Sequence, residues 1–520
     1  MRVGIIELLT GSTSRNWAEH TYNSRFRKQF ASIMPQAVAV WCRQLGHQAF
    51  YATYYGQKDP MRLLPDDLDF VFISTFTHAS ALAYSLAKLY RRKKVLTVIG
   101  GPHANAFPTD CLRFFDIVVQ ECDKSLIDDI LQSRFNRHSI VKSCRPLENV
   151  PSVQERLAEI KIASFARGRP SMFSSVPILS SLGCPYKCDF CVEWNKPFVT
   201  FPTESIETDL RFVAENFGKV VVAFHDPNMI DLDRVLGAME TIPLKSRNPY
   251  ALSCSLSVLK NSRLARLRET NCAYVGLGVE SWNDYSTKAG TGKNVGWTKL
   301  ERIAARFAEL HAYVPSLGAC FIFGTNSDEG DEPIELTKEF IRRVPYVWPA
   351  INTPAPFGGT ALYENCLRQE RILKYLPFHF YFTPYLAMKP LNYSPVEYYE
   401  KLVGLISFAT SLYISANRVA KTKNFALKTL QELRTLALRN QLLEMKRILR
   451  HLKADKSFRR FHEGQHNSLP NFYYARFKQA LGGYAELLSD AEMVPELDYP
   501  IEALQRTQAT GNPAKQNQKL

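Results

Sequence analysis

The 520-residue sequence predicts an α/β chain in three parts: a doubly wound parallel sheet at the N-terminus, a run of β/α units of barrel type in the middle, and a helical C-terminal region. Three observations carry this reading. Strand and helix signals alternate over residues 1–130, the pattern of a parallel sheet covered on both faces. Six strand-like runs separated by helical ones recur between 173 and 385. From 386 to 500 apolar residues return at helical spacing.

In the first part, Val3–Leu9 reads as a strand, and Phe30–Leu45 as a helix with Ala31, Met34, Ala37, Val38 and Trp41 on one face. Leu68–Ser74 is a buried strand, Ala79–Leu89 a helix, and Val95–Ile99 a strand that ends in Gly100-Gly101-Pro102-His103. Asp116–Val119 is a short strand before a helix at Ser125–Leu131. Ligands of such sheets bind at the carboxyl ends of the strands. Two of those ends, Ser74-Thr75 and Gly100-Gly101, are small enough to let a bulky ligand approach the backbone. Residues 136–172, with Arg137, Arg145 and the run Arg167-Gly-Arg-Pro170, read as a linker.

In the middle part the strands are Val176–Leu182, Lys219–Phe224, Ala251–Leu256, Ala273–Val279, Ser316–Phe323 and Val347–Asn352, with helices such as Thr203–Asn216 and Leu300–Leu310 between them. The aromatic run Tyr375-Leu-Pro-Phe-His-Phe-Tyr-Phe382 that follows suits either a pocket wall or core packing. Helices are expected over Glu400–Arg418 and Leu427–Leu452, and the polar tail, 501–520, is expected to be disordered.

Composition sets the bounds. Hydrophobic residues make up 46% of the chain, as in globular proteins, and 65 basic against 50 acidic residues leave a net charge of +15. A basic excess alone suits an anionic ligand, a nucleic acid or simply a soluble surface. Eleven scattered cysteines form no disulfide framework. No signal-peptide pattern opens the sequence, and its longest apolar helical stretch, Leu402 to Ala416, is too short and polar to span a bilayer. A cytoplasmic setting is expected.

The chemistry is concentrated in Ser181-Leu-Gly-Cys-Pro-Tyr-Lys-Cys-Asp-Phe-Cys191. Cys184, Cys188 and Cys191 follow C-x3-C-x2-C, a compact spacing that brings three thiolates onto one [4Fe–4S] cube. Such a cube normally takes four cysteines, and the nearest others are Cys144 and Cys254, so one iron would stay open to a ligand. The alternative is structural zinc, which closes with four ligands from paired knuckles; the chain has no second C-x2-C.

This loop resembles that of the radical S-adenosylmethionine superfamily. The resemblance implies Cys184, Cys188 and Cys191 as ligands of a [4Fe–4S] cluster and S-adenosylmethionine on the open iron. Reductive cleavage of the sulfonium would then yield a 5′-deoxyadenosyl radical, with the electron supplied by an external flavodoxin- or ferredoxin-type donor. Phe190 matches the family's aromatic position near the adenine. In Val222-Ala-Phe-His-Asp-Pro-Asn228, Asp226 matches the strand-end acidic residue, which either contacts a cofactor or caps the strand. Gly276-Leu-Gly-Val-Glu280-Ser281 matches the G-x-E-S stretch that contacts S-adenosylmethionine. Leu317-Gly-Ala-Cys-Phe-Ile-Phe-Gly324 and Thr353-Pro-Ala-Pro-Phe-Gly-Gly-Thr360 match two later strands. The span of about 210 residues is short of a full eight-unit barrel and fits the family's partial (β/α)6 TIM barrel over 173–385.

The N-terminal part, 1–135, resembles Rossmann-like cobalamin-binding domains. Ser74, Thr75, Gly100, Gly101 and His103 stand where that family packs loops around the nucleotide tail of the corrinoid. The D-x-H-x-x-G motif with a cobalt-ligating histidine is missing; His20 lies in the first loop as a candidate ligand or a surface residue. Where the family has Gly-Glu-Gly-Glu the chain has Gln120-Glu-Cys-Asp123. Together the two resemblances imply a cobalamin-dependent radical enzyme that methylates an unactivated carbon of a small-molecule or lipid-like substrate. The alternatives are a radical oxidation, cyclisation or rearrangement with cobalamin, a transfer RNA methylthiotransferase and a corrinoid carrier. The methylthiotransferase lacks its own cysteine motifs here, and nucleic acid is not an expected partner.

Overall fold

The computed structural model describes residues 1–497 apart from 14–16, 172, 286–288 and 423; the tail expected to be disordered therefore lies outside the described residues. Fourteen strands are assigned among them. The first sheet holds β1 (Arg2–Leu8), β2 (Gln48–Tyr54), β3 (Phe70–Thr75), β4 (Leu96–Gly100), β5 (Ile117–Val119) and β6 (Ser139–Val141) in the order β2-β1-β3-β4-β5-β6. Every neighbouring pair is parallel. The order reverses between β1 and β3, which puts a ligand crevice beside the carboxyl ends of those strands. Val3, Ile5, Phe70, Phe72 and Val98 face the helices Ile33–Gln44 and Lys124–Leu131. Ile6, Leu8, Val71, Ile73 and Ile99 face the helix Ser80–Arg92 on the other side. A doubly covered parallel sheet needs such unbroken apolar runs.

Two parts of this sheet differ from expectation. Strand β2 was not anticipated, although Phe50, Tyr51 and Tyr54 are strand formers placed after a turn at Gly46. The stretch read as a linker, 136–172, supplies the edge strand β6 and the helix Leu157–Ala163, which packs on β2.

The second sheet holds β7 (Ser175–Ile178), β10 (Val221–Phe224), β11 (Tyr250–Cys254), β12 (Cys272–Glu280), β13 (Ser316–Ile322) and β14 (Trp348–Asn352). It is wholly parallel, in the order β14-β13-β12-β11-β10-β7, with β7 and β14 at its two edges: a partial barrel of six units. The short strands β8 (Ser181–Leu182) and β9 (Val199–Thr200) pair antiparallel just after β7.

Buried polar groups lock the two sheets together. Arg156 is fully buried; it donates to the carbonyls of Pro151 (2.7 Å) and Pro177 (3.2 Å) and to Gln36 Oε1 (2.9 Å). It therefore joins a helix of the first sheet to β7 of the second. Gly358 fits where a Cβ would stand 1.8 Å from the Ala106 carbonyl oxygen, so the last barrel loop rests directly on the helix Pro102–Ala106. The aromatic run forms core: Phe378 lies 4.1 Å from Phe107 between ring centroids, and Phe380 and Tyr381 are buried.

The C-terminal part is helical as expected. The first predicted helix is two, Pro395–Ala409 and Leu412–Lys421, and the second is Phe425–Ala454. No single helix among the described residues is long and apolar enough to cross a membrane.

Glu7 carries a pH-dependent term. It is fully buried on β1, and its carboxylate accepts the Ser32 backbone N–H at 2.9 and 3.1 Å. Burial outweighs those bonds and raises its pKa from 4.5 to about 7. A folded-state pKa above the unfolded one means the associated stability is intact below pH 4.5 and is lost as pH rises through 7. The loss amounts to about 3 kcal/mol. Glu7→Gln is therefore expected to match the wild type at pH 4.5 and to exceed it at pH 8 in urea unfolding; a constant difference across that range contradicts the assignment.

Candidate active site

The cysteine loop leaves the carboxyl end of β7 and is closed at its base by the Ser181–Thr200 and Leu182–Val199 pairs. Gly183 sits at this neck with φ +68°, and a Cβ there would lie 2.1 Å from the Pro197 carbonyl oxygen, so only glycine fits. Cys184 and Cys188 are buried, Cys191 is half-buried, and none is in a disulfide. The Cys191 N–H donates to the Cys188 carbonyl (3.1 Å), which folds the second pair into one turn. Asn228 Nδ2 donates to Cys184 Sγ (3.5 Å) while its Oδ1 accepts from Ser255 N (2.9 Å). An N–H aimed at sulfur suits a thiolate ligand.

Three thiolates on one zinc stand about 3.8 Å apart, as tetrahedral bonds of about 2.3 Å require. Ligands to three separate irons stand farther apart. Among the described residues no group of three His, Cys, Asp or Glu side chains is gathered around a single-ion position. The donor set, three cysteines outside any disulfide on one loop with an amide donor at the first, fits a cube with one open corner.

Asp226 serves this loop from below. Its Oδ1 accepts from the hydroxyls of Ser180 (2.6 Å) and Ser181 (2.5 Å), and its Oδ2 from Ser180 N (3.1 Å). Burial raises its pKa. This carboxylate is committed to the chain itself, so of the two expected readings the strand-end cap is the one realised. Phe190 stacks on Tyr285 with centroids 5.5 Å apart. The loop also docks on the far edge of the barrel: Leu362 N donates to the Asp189 carbonyl (2.9 Å) and Trp194 Nε1 to the Gly359 carbonyl (2.7 Å).

Glu280 ends β12 at the same mouth. It is buried with φ +65°, in a region costly for a side-chain-bearing residue, and a bulge in the β12–β13 pairing falls beside it. Its carboxylate folds over Gly278, where a Cβ would stand 2.4 Å from Oε1. Ser281 Oγ donates to Asp328 Oδ1 (3.0 Å), and Asp328 Oδ2 accepts from Gly324 N (2.9 Å) and Thr325 N (3.0 Å). Ser281 is thus tied into this network. Lys299 Nζ, buried, donates to the carbonyls of Ser281 (2.6 Å) and Asn283 (2.9 Å), and burial lowers its pKa to about 8. Asp328, Lys299, Asn228 and Tyr285 were assigned no role from sequence: Asn228 closes the Val222–Asn228 stretch, and Tyr285 and Asp328 follow Ser281 and Gly324 by four residues, but the contacts that bring them to the site are set by the fold.

Between the sheets lies a cavity of about 330 Å³. Ser74, Gly100 and Gly101 line one side, over a floor of Ile5, Phe72, Val98 and Val119. Leu182, Gly183, Lys196 and His225 line the other. Gly101, with φ +90°, would place a Cβ 2.7 Å from Ser74 Oγ, which explains why the serine and the double glycine go together. Gln120, Glu121 and Cys122, at the departed motif, also line it, as does Arg145 from the expected linker.

Thr75 and His103, expected beside the same ligand, do not line this cavity. Thr75 is buried and its hydroxyl donates to the Phe76 carbonyl (3.0 Å). His103 is buried against Phe107 and Phe378, with Nε2 2.6 Å from Tyr84 Oη, and burial lowers its pKa to about 3. As the second residue of a helix it points into the core. His20 is exposed on the helix Trp17–Arg25.

The chain is similar to several known proteins over part of its length. Among curated proteins the chain is similar to bacteriochlorophyllide d C-8(2)-methyltransferase of Chlorobaculum tepidum, 24% identical over 352 residues, covering 65% of this chain and 76% of that one. It is similar also to the bacteriochlorophyllide d C-12(1)-methyltransferase of the same organism, 23% identical over 340 residues, covering 62% and 72%. Among solved structures it is similar to TsrM of Kitasatospora setae, a radical S-adenosylmethionine methyltransferase with cobalamin and a [4Fe-4S] cluster bound, at 13% identity and a TM-score of 0.49, covering 71% of this chain and 78% of that one. Residues 178–341 match the model of the Radical SAM superfamily, a span that takes in the cysteine loop and β10 to β13. Residues 178–341 are thus a Radical SAM superfamily domain.

Proposed function

We propose that the chain is a cobalamin-dependent radical S-adenosylmethionine enzyme that methylates an unactivated carbon. The observation that carries this is the single cavity joining the glycine strand ends of the first sheet to the neck of the cysteine loop. Its apolar floor and volume suit the nucleotide tail of a corrinoid, which would leave the ring to lie toward the barrel mouth. Both curated relatives named above are methyltransferases, in keeping with this reading. In this proposal residues 1–135 form the cobalamin domain, 173–385 the radical domain and 386–500 a helical cover. A one-electron donor of flavodoxin or ferredoxin type and a cytoplasmic setting go with it.

When bound, the cluster with S-adenosylmethionine supplies a carbon-centred radical, and the corrinoid supplies the methyl group. The chain's part is binding, orientation and exclusion of water. Cys184, Cys188 and Cys191 would hold the cluster, and Asp226 fixes the serines from which their loop springs. Glu280 and Ser281 would hold S-adenosylmethionine, and Phe190 would face its adenine. Ser74, Gly100 and Gly101 would admit the corrinoid tail.

Anaerobic reconstitution with iron, sulfide and hydroxocobalamin tests the reading. Protein given reductant and methyl-labelled S-adenosylmethionine is expected to release 5′-deoxyadenosine and to carry label into the corrinoid. A fully loaded cluster without 5′-deoxyadenosine refutes the radical part, and failure to retain cobalamin refutes the corrinoid part.

A further inference from the structure

Two C-terminal helices, Leu412–Lys421 and Phe425–Ala454, present apolar residues to the outside. In the first, Ser415 and Arg418 are buried beside Ile414 while Leu412, Tyr413, Ala416 and Ala420 are exposed, a distribution opposite to that of a water-facing helix. In the second, Leu438, Leu442, Met445 and Ile448 are buried, and the helix packs on Pro395–Ala409. Its outer side carries Phe425, Leu433, Leu436 and Leu443, all exposed. At about 3.6 residues per turn, Phe425, Leu436 and Leu443 fall within about 20° of one line, which is about 27 Å long. Phe425, Leu412 and Tyr413 are the three most exposed large apolar side chains among the described residues, at 83, 80 and 73%. Arg439 Nη2 donates to the Thr410 carbonyl (2.8 Å), which brings the Leu412–Tyr413 corner alongside the turns that carry Leu436 and Leu443. The two faces form one apolar strip, and a strip of this kind marks an interaction surface.

Cations edge this strip. Residues 401–460 hold fourteen basic and three acidic residues, so most of the chain's net charge of +15 is gathered in these helices and their flanks. On the long helix Lys428, Lys446, Arg447 and Arg450 lie within about a quarter turn of the apolar line. Lys421, Lys446 and Arg450 are exposed, and among the described residues no carboxylate pairs with them or with Lys428. Arg447 and Lys453 pair with Glu444 and Glu400. Glu432 is the single exposed carboxylate among the described residues of the two helices. A second copy seated on the same strip would set like charges against each other. A nucleic acid would engage the cations but leave the leucines against its phosphates.

We propose that this strip attaches the protein reversibly to an anionic lipid bilayer. Leucines and aromatic rings on one line, with lysines and arginines beside them, match the boundary between acyl chains and headgroups: the apolar side chains enter the acyl layer and the cations meet anionic headgroups. The helices lie in the plane of that boundary rather than across it. The preceding helix, Pro395–Ala409, has its apolar side, with Tyr398, Leu402, Leu405 and Ile406, buried in the fold, so only the outer surface is available to lipid. The attachment is independent of the proposed activity.

The test sediments the full-length chain with vesicles of phosphatidylcholine alone or mixed equally with phosphatidylglycerol. Wild type is expected to bind the mixed vesicles more tightly by about tenfold or more, and raised salt to narrow the difference. The double variant Leu436→Glu, Leu443→Glu is expected to lose about tenfold or more of that binding, and Lys446→Gln with Arg450→Gln to lose a similar share. Ile162→Glu, which alters an exposed residue of the first domain, is expected to bind as wild type does. The melting temperatures of all these variants are expected to match that of wild type, because the altered side chains face outward. Absence of a preference for the anionic vesicles overturns the proposal. So does unchanged binding in the leucine pair, or an equal loss in Ile162→Glu. A fall of several degrees in the leucine pair overturns it by showing that these side chains pack within the fold. A wild-type dimer that the leucine pair dissolves in analytical ultracentrifugation assigns the strip to a second copy instead. Tighter binding to a DNA duplex than to the vesicles, weakened by the same lysine and arginine changes, assigns it to nucleic acid. None of these measurements uses S-adenosylmethionine, so failure of the proposed activity leaves their result standing.

Discussion

Alanine at Cys184, Cys188 or Cys191 is expected to abolish 5′-deoxyadenosine formation, since a cube held by two thiolates loses the geometry that leaves a single iron open. The loss should appear first as missing iron and sulfide after reconstitution, with secondary structure unchanged by circular dichroism. Gly183→Ala is expected to reproduce it without removing a ligand, because the new methyl group would strike the Pro197 carbonyl and open the neck of the loop. Asn228→Ala leaves all three thiols in place but withdraws the N–H from Cys184 Sγ. Hydrogen bonds to cluster sulfurs raise the reduction potential, so this variant should load normally and show a more negative potential by electrochemistry. A triple cysteine variant that still cleaves the sulfonium would remove the loop from the chemistry altogether.

Much of the architecture is legible in the sequence because the central strands of the first sheet are buried on both faces and read as unbroken apolar runs, while those of the second keep buried apolar residues at alternate positions. All six barrel strands fall within a few residues of their expected positions. Strand β2 escaped because its small and polar residues, Gln48, Ala49, Ala52 and Thr53, dilute the strand signal. Strand β6 is three residues long and lies among arginines and serines that look like a connector. The site divides along similar lines. Residues within a motif, such as Cys184 or Gly183, are visible because chemistry or backbone geometry dictates their spacing. Asn228, Lys299 and Asp328 are chosen by contacts across 44, 18 and 47 residues. His103 misled because the Gly-Gly-Pro-His run predicts an open strand end but not which way the next helix turns its side chains. Asp226 illustrates a subtler limit: the motif locates the carboxylate, while only the fold shows that its acceptor positions are taken up by two serines of the chain itself.

Glu280→Gly is expected to stabilise the protein and at the same time remove its affinity for S-adenosylmethionine. The residue holds φ at +65°, a conformation costing about 1–3 kcal/mol for a side-chain-bearing residue and almost nothing for glycine. The surrounding contacts maintain the strained backbone. Asp328 ties Ser281 to the β13 loop, and Lys299 holds the Ser281 and Asn283 carbonyls. What the strain achieves is the direction of the carboxylate, which lies back over Gly278. Gly278→Ala separates position from charge. It keeps Glu280 and adds one methyl group where Oε1 now lies, so the carboxylate must swing away. The loss of charge-assisted hydrogen bonds predicts binding weaker by about 10- to 100-fold. Calorimetry with S-adenosylmethionine on cluster-loaded protein, set beside thermal melts, decides the matter. A Glu280→Gly variant that melts higher and fails to bind fits strain retained for function. One that melts lower, or binds as well as wild type, shows instead that the unusual backbone serves only the packing of the β12–β13 bulge.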